Sequence, residues 1–236
     1  MEVYVSNQEM LQIAEELVRR VCGKPPPCRV DIDAVAKYLG LTVRYEQFAE
    51  REPDKIGFSA NGKSALTVCR NGMRTQVIFS KDTIVLDRFL LNSTEESRRR
   101  FTLSHEIGHK LLARIDPTYD EGRFSHVYDH KRQYDISDLH ERMNLTEWQS
   151  TFIGAAVLMP LSMIREALWF HMHRKSIPVY GEFVFLPSMK PSLRKMADEL
   201  GVSHTAMVIQ LKKYGLLKQY SMDEYFQILI EKGECL

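Results

Sequence analysis

The sequence predicts an α+β fold. Three observations carry that reading: an amphipathic helical pattern near the start, a cluster of short β-type segments between about residues 56 and 87, and helical periodicity that dominates to the end. Helix, small antiparallel sheet and further helices in that order make an α+β arrangement rather than an alternating one.

Each element has its own signal. From about Asn7 to Cys22, Ile13, Ala14, Leu17 and Val21 fall on one helical face. The run Gly23 to Pro27 breaks that helix. Asp31 to Leu39 reads as a second helix, stopped at Gly40, and Leu41 to Tyr45 as a strand. Short β-segments follow at Ile56–Ser59, Ala65–Cys69, Thr75–Ser80 and Thr83–Leu86, with the turn dipeptides Asn61-Gly62 and Asn71-Gly72 between them. Ser93, with Glu96 three residues on, reads as a capping box that opens the next helix. Phe101, Leu103, Ile107, Leu111 and Leu112 form its apolar stripe, and Pro117 ends it.

Asp116 to Arg142 is polar, with little periodicity, and is expected to be a long loop over the site with room for a short helix. Asn144 to Met159 reads as a deeply buried helix. Pro160 interrupts it, and Leu161 to Phe170 forms another. Ser176 to Pro191 is a connector with a short strand near Glu182–Leu186, and the chain is expected to be helical from Ser192 to about Lys232.

Composition bounds the function classes. The chain has 236 residues, 44% of them hydrophobic, enough for a substantial core, and a formal net charge of +1 that argues neither for nor against nucleic acid. Cys22, Cys28, Cys69 and Cys235 are scattered without a CxxC pair, which fits a reducing cytosol better than a disulfide scaffold. Met1 to Arg20 alternates charged and apolar groups, so no signal peptide, membrane span or membrane partner is expected.

The most specific motif is His105-Glu106-Ile107-Gly108-His109, an H-E-x-x-H pattern deep inside a predicted helix. Residues four apart share a helical face, so both imidazoles can address one ion. Two histidine nitrogens suit Zn²⁺ and leave positions for a third protein ligand and a water. Glu106 is placed to act as a general base toward that water. The third ligand must come from elsewhere. Asp116, Asp120, Glu121, His126, Asp129, His130, His140, Glu141 and Glu147 are all candidates. Glu147, at the start of a buried helix, is attractive, although Asn144 and Glu147 also have capping-box spacing. A metzincin-type third histidine is excluded, because position 115 is Ile115.

The run Phe101-Thr102-Leu103-Ser104-His105-Glu106-Ile107-Gly108-His109, followed by Glu147-Trp148-Gln149-Ser150-Thr151-Phe152-Ile153-Gly154-Ala155-Ala156-Val157-Leu158-Met159-Pro160, resembles the ImmA/IrrE metallopeptidase family. The likeness covers about Ile56 to Pro160 well and the remainder loosely. It implies a zincin-like minimal core of a small antiparallel sheet plus active-site helices, with Glu147 as the third zinc ligand. It also implies a cytoplasmic, bacterial or phage-related zinc endopeptidase whose protein substrate is a helix-turn-helix transcriptional repressor of a mobile-element or stress-response system. Two departures stand out. Where the family has Ala-Asn this chain has Ser150-Thr151, and where it has Phe-Ala this chain has Ile153-Gly154. Both read as packing positions on the ligand helix.

A second electrophile usually assists such hydrolysis. Tyr119, His126, Tyr128, His130 and Tyr134 are the candidates for oxyanion or substrate contacts. An edge of the small sheet could receive an extended peptide.

The C-terminal stretch from Leu193 to Leu211 has helix-turn-helix spacing: Ala197 inside, Gly201 at the turn, Val202 as anchor, Ser203 capping the second helix. His204, Thr205 and Gln210 are a thin set for reading bases, and Asp198 and Glu199 dilute the nearby lysines. Packing or protein docking is therefore expected rather than specific DNA binding. The expected organisation is a metallopeptidase domain at 1–175 and a helix-turn-helix-like segment at 188–236. The alternative is a non-catalytic zinc-containing regulator that binds DNA or protein.

Overall fold

The first helix, α1 (Asn7–Cys22), begins at a reciprocal cap in which the Ser6 side chain accepts from the Glu9 amide and the Glu9 carboxylate from the Ser6 amide. The structure, a computed structural model, describes residues 5–23, 29–49, 55–115, 124–126 and 145–232. Helix α2 (Ile32–Tyr38) is capped by Asp31, whose Oδ1 accepts from the Ala34 amide at 3.0 Å.

The β-region contains β1 (Thr42–Glu46), β2 (Lys55–Ser59), β3 (Ala65–Arg70), β4 (Met73–Ile78) and β5 (Thr83–Asp87), joined by β6 (Phe124–His126) from the segment read as a loop. The main sheet has the order β1-β5-β2-β6 and is mixed, not antiparallel: β1 and β5 run parallel. A tight turn would have forced antiparallel pairing. The excursion through β2, β3 and β4 lets the chain return in the same direction. Strands β3 and β4 form a separate hairpin, closed by Asn71 and Gly72, both with positive φ as a two-residue turn requires. Phe48, Phe58, Leu66, Val68 and Val85 make a small core between hairpin and sheet.

Helix α3 (Glu96–Ile115) carries the H-E-x-x-H motif and is buried from Thr102 to Leu112. The expected capping box does not form. Ser93 to Glu95 make a 3₁₀ turn instead, and the Glu96 carboxylate is drawn away by an ion pair with Arg29. Helix α4 (Leu145–Leu158) packs against α3, and α5 (Leu161–Met172) follows Pro160. Among the described residues no single helix is long and apolar enough to cross a membrane.

The C-terminal part departs from the expected long helical stretch. Strand β7 (Ile177–Tyr180) lies before the predicted position at Glu182–Leu186, where the chain reverses at Gly181 and Val184 returns to bond Tyr180. All four β7 residues are buried, so it lacks the alternation that reveals a strand, and Pro178 argues against one in sequence. Helices α6 (Lys190–Leu200) and α7 (His204–Lys213) are followed by β8 (Leu217–Tyr220), parallel to β7, and by α8 (Met222–Lys232).

The helix-turn-helix geometry matches its sequence signal. Gly201 has φ +66°, the Val202 amide bonds Ala197 O at 3.0 Å, and Ser203 Oγ accepts from the Ala206 amide at 3.1 Å. Leu193, Met196, Leu200, Met207 and Leu211 belong to the same apolar core as α3, α4 and α5. Buried Arg100 of α3 reaches across, donating to Gly201 O at 3.0 Å, Leu200 O at 3.3 Å and Val30 O at 2.9 Å.

Candidate metal centre

Helices α3 and α4 cross unusually closely. A Cβ on Gly108 would lie 2.3 Å from Ser150 O, and one on Gly154 would lie 2.4 Å from Ser104 O. Glycine on each side is what permits that approach. The crossing brings the first turn of α4 over the two histidines of α3.

His105, His109 and Glu147 converge there as a group able to hold a metal ion. The two Nε2 atoms are 3.0 Å apart, and Glu147 Oε2 lies 3.4 Å from His105 Nε2 and 3.6 Å from His109 Nε2. Tetrahedral nitrogen and oxygen donors about 2.0–2.1 Å from one zinc ion stand about 3.3–3.4 Å from one another. The observed spacings bracket that value. Both imidazoles are buried and meet edge to face. Burial alone would raise the Glu147 carboxyl; hydrogen bonding and charge from His105 and His109 overcome it and hold the group well below its ordinary range. An ionised carboxylate facing two imidazole nitrogens is the donor set of a divalent ion such as zinc.

Glu106 is fully buried on the side of α3 that faces β2. A Cβ on Gly57 of β2 would stand 2.3 Å from Glu106 Oε1 and 2.8 Å from Thr102 Cγ2. The strand therefore leaves space for the carboxylate at one residue. Ser59 Oγ approaches Glu106 O at 3.5 Å.

Ser150 and Thr151 are not mere packing positions, as their sequence context suggests. Ser150 Oγ lies 3.0 Å from His109 Nδ1, and Thr151 Oγ1 lies 3.2 Å from His105 Nδ1. Gly57 is likewise a residue whose role the sequence does not make plain. Signals for both existed: positions 150 and 151 follow Glu147 by three and four residues, hence share its helical face, and a glycine inside a strand often marks close approach.

Tyr119, Tyr128, His130 and Tyr134, with Asp116, Asp120, Glu121, Asp129, His140 and Glu141, lie outside the described residues, as does Asn144. His126 is placed by its backbone in β6, opposite Lys55 of β2. That pairing makes β6 the outer strand of the main sheet on the β2 side.

The model of a family described as a helix-turn-helix domain matches residues 188–217. That stretch holds α6 and α7 and ends as β8 begins. No curated protein matches the chain.

Proposed function

We propose that the protein is a zinc-dependent endopeptidase that cleaves a helix-turn-helix repressor. The observation that carries the reading is the buried convergence of His105, His109 and Glu147, with Glu106 next to the first histidine on the same helix. His105, His109 and Glu147 would hold Zn²⁺, which when bound supplies Lewis acidity toward water and the scissile carbonyl. Glu106 takes the proton of the attacking water and passes it to the departing amine. Gly57 keeps the β2 backbone clear of that carboxylate, and the dry surroundings strengthen its interaction with the charge that develops. The repressor as substrate rests on the family resemblance of the two motifs.

The second reading is a regulator that binds DNA, favoured by the helix-turn-helix match. The side chains that α7 offers to solvent weigh against it. His204 and Lys212 are exposed on that helix, but Met207, Val208, Gln210 and Leu211 are buried. A recognition helix needs a solvent-facing stripe of polar side chains to enter the major groove. Gln210, one of the few base-reading side chains in the segment, is 1% exposed.

The test is cleavage of purified helix-turn-helix repressors by the zinc-loaded protein. Discrete fragments that vanish on chelation and return with zinc are expected. Intact repressors under every metal condition, with specific DNA retention by the protein, would favour the regulator.

A further inference from the structure

The hydroxyls of Ser150 and Thr151 touch the two histidines on their far sides, away from Glu147. A histidine that binds a metal through Nε2 must carry its proton on Nδ1, and the group that accepts that proton fixes the ring. Ser150 Oγ donates to Thr146 O at 2.8 Å, one turn back on α4. A hydroxyl has one proton. With it committed to Thr146, Ser150 Oγ meets His109 Nδ1 as an acceptor, at 3.0 Å. His109 therefore holds Nδ1–H and presents a bare Nε2 to the cluster. Thr151 Oγ1 lies 3.2 Å from His105 Nδ1, within reach to accept its proton in the same way. Both hydroxyls are buried, so water does not compete for these contacts.

We infer that Ser150 and Thr151 are positioning residues that set the tautomer and orientation of His109 and His105 for metal binding. The inference rests on the reading of His105, His109 and Glu147 as a metal centre. It gives α4 two tasks. Glu147 supplies a donor atom, and the next turn of the same helix clamps the imidazoles supplied by α3. The Gly108 and Gly154 contacts serve that arrangement, since short hydroxyl side chains reach the rings only when the helix backbones touch.

The test pairs zinc affinity, measured by chelator competition, with ¹⁵N spectra of the histidine rings in the metal-free protein. Ser150→Ala and Thr151→Val should each weaken zinc binding by roughly 10- to 100-fold. In Ser150→Ala the His109 signals should move from the Nδ1–H form toward a mixture of tautomers. Thr151→Ser keeps the hydroxyl and should bind zinc nearly as the wild type does. Wild-type affinity and unchanged ring spectra in Ser150→Ala and Thr151→Val would overturn the inference. So would equal weakening in Thr151→Ser and Thr151→Val, since the serine keeps the hydroxyl and the valine does not. A wild-type protein that takes up no zinc contradicts the metal centre itself, and the ring spectra then still decide whether these hydroxyls fix the tautomers.

Discussion

Gly57 of β2 and Glu106 of α3 are in such close contact that a single added carbon on the glycine would sit 2.3 Å from the glutamate's Oε1. Sheet and helix are thus fitted to one another at the carboxylate assigned as general base. Gly57→Ala should displace that carboxylate without touching His105, His109 or Glu147. A shift of about 1 Å at a reacting group can cost about 10²-fold in rate. The expected result is a fall in kcat of that order with zinc content unchanged, read from cleavage kinetics and metal analysis. A variant with wild-type kcat would remove the link between the β2 glycine and catalysis.

Glu106→Gln preserves the shape of the side chain and removes its ability to accept a proton. Cleavage should drop by about 10²–10⁴-fold, while zinc stays bound. Cleavage by this variant at the wild-type rate would refute the assignment of Glu106.

Part of this site is legible in the sequence. His105 and His109 are related by helical periodicity alone, whereas Glu147 is one of several candidate ligands that only the resemblance of the second motif singles out. The roles of the Ser150 and Thr151 hydroxyls are not legible there, because their partners are 41 and 46 residues away in sequence and only the glycine-lined helix crossing unites them. The same limit applies to the sheet. The strands β1 and β5 were each readable from local pattern, but their parallel pairing depends on a long excursion that local pattern does not describe. Strand β7 was hidden because it is buried on all sides. The Gly201 turn, by contrast, depends on local backbone chemistry, and it formed where its sequence placed it.

Lys213 provides a pH test of the packing between the helix-turn-helix unit and α4. Its ammonium lies over the Phe152 ring of α4, 5.5 Å from the centroid, and burial pushes it down to about 8 from an ordinary 10.5. The folded state then binds the Lys213 proton less tightly than the unfolded state does. The penalty for burying the charge is complete below pH 8 and is relieved as pH rises from 8 toward 10.5. Lys213→Met should therefore raise Tm at pH 7, with the gain shrinking toward pH 10. Thermal melts across that range measure it. A gain independent of pH would mean that the charge is not the cause.

The burial of Gln210 and the few polar side chains left on the outer face of α7 predict weak, unselective DNA binding. Fluorescence anisotropy with short duplexes should show a shallow salt dependence, because few lysines and arginines would contact phosphates. Sub-micromolar, sequence-selective binding would contradict this expectation and support the regulator reading.

The most direct test is anomalous diffraction from crystals of the zinc-loaded protein, recorded above and below the zinc edge. The account predicts one strong peak, lost below the edge, at about 2.0–2.2 Å from His105 Nε2, His109 Nε2 and a Glu147 oxygen. A protein without that peak, or a peak ligated by His126 or His130 in place of Glu147, would contradict it.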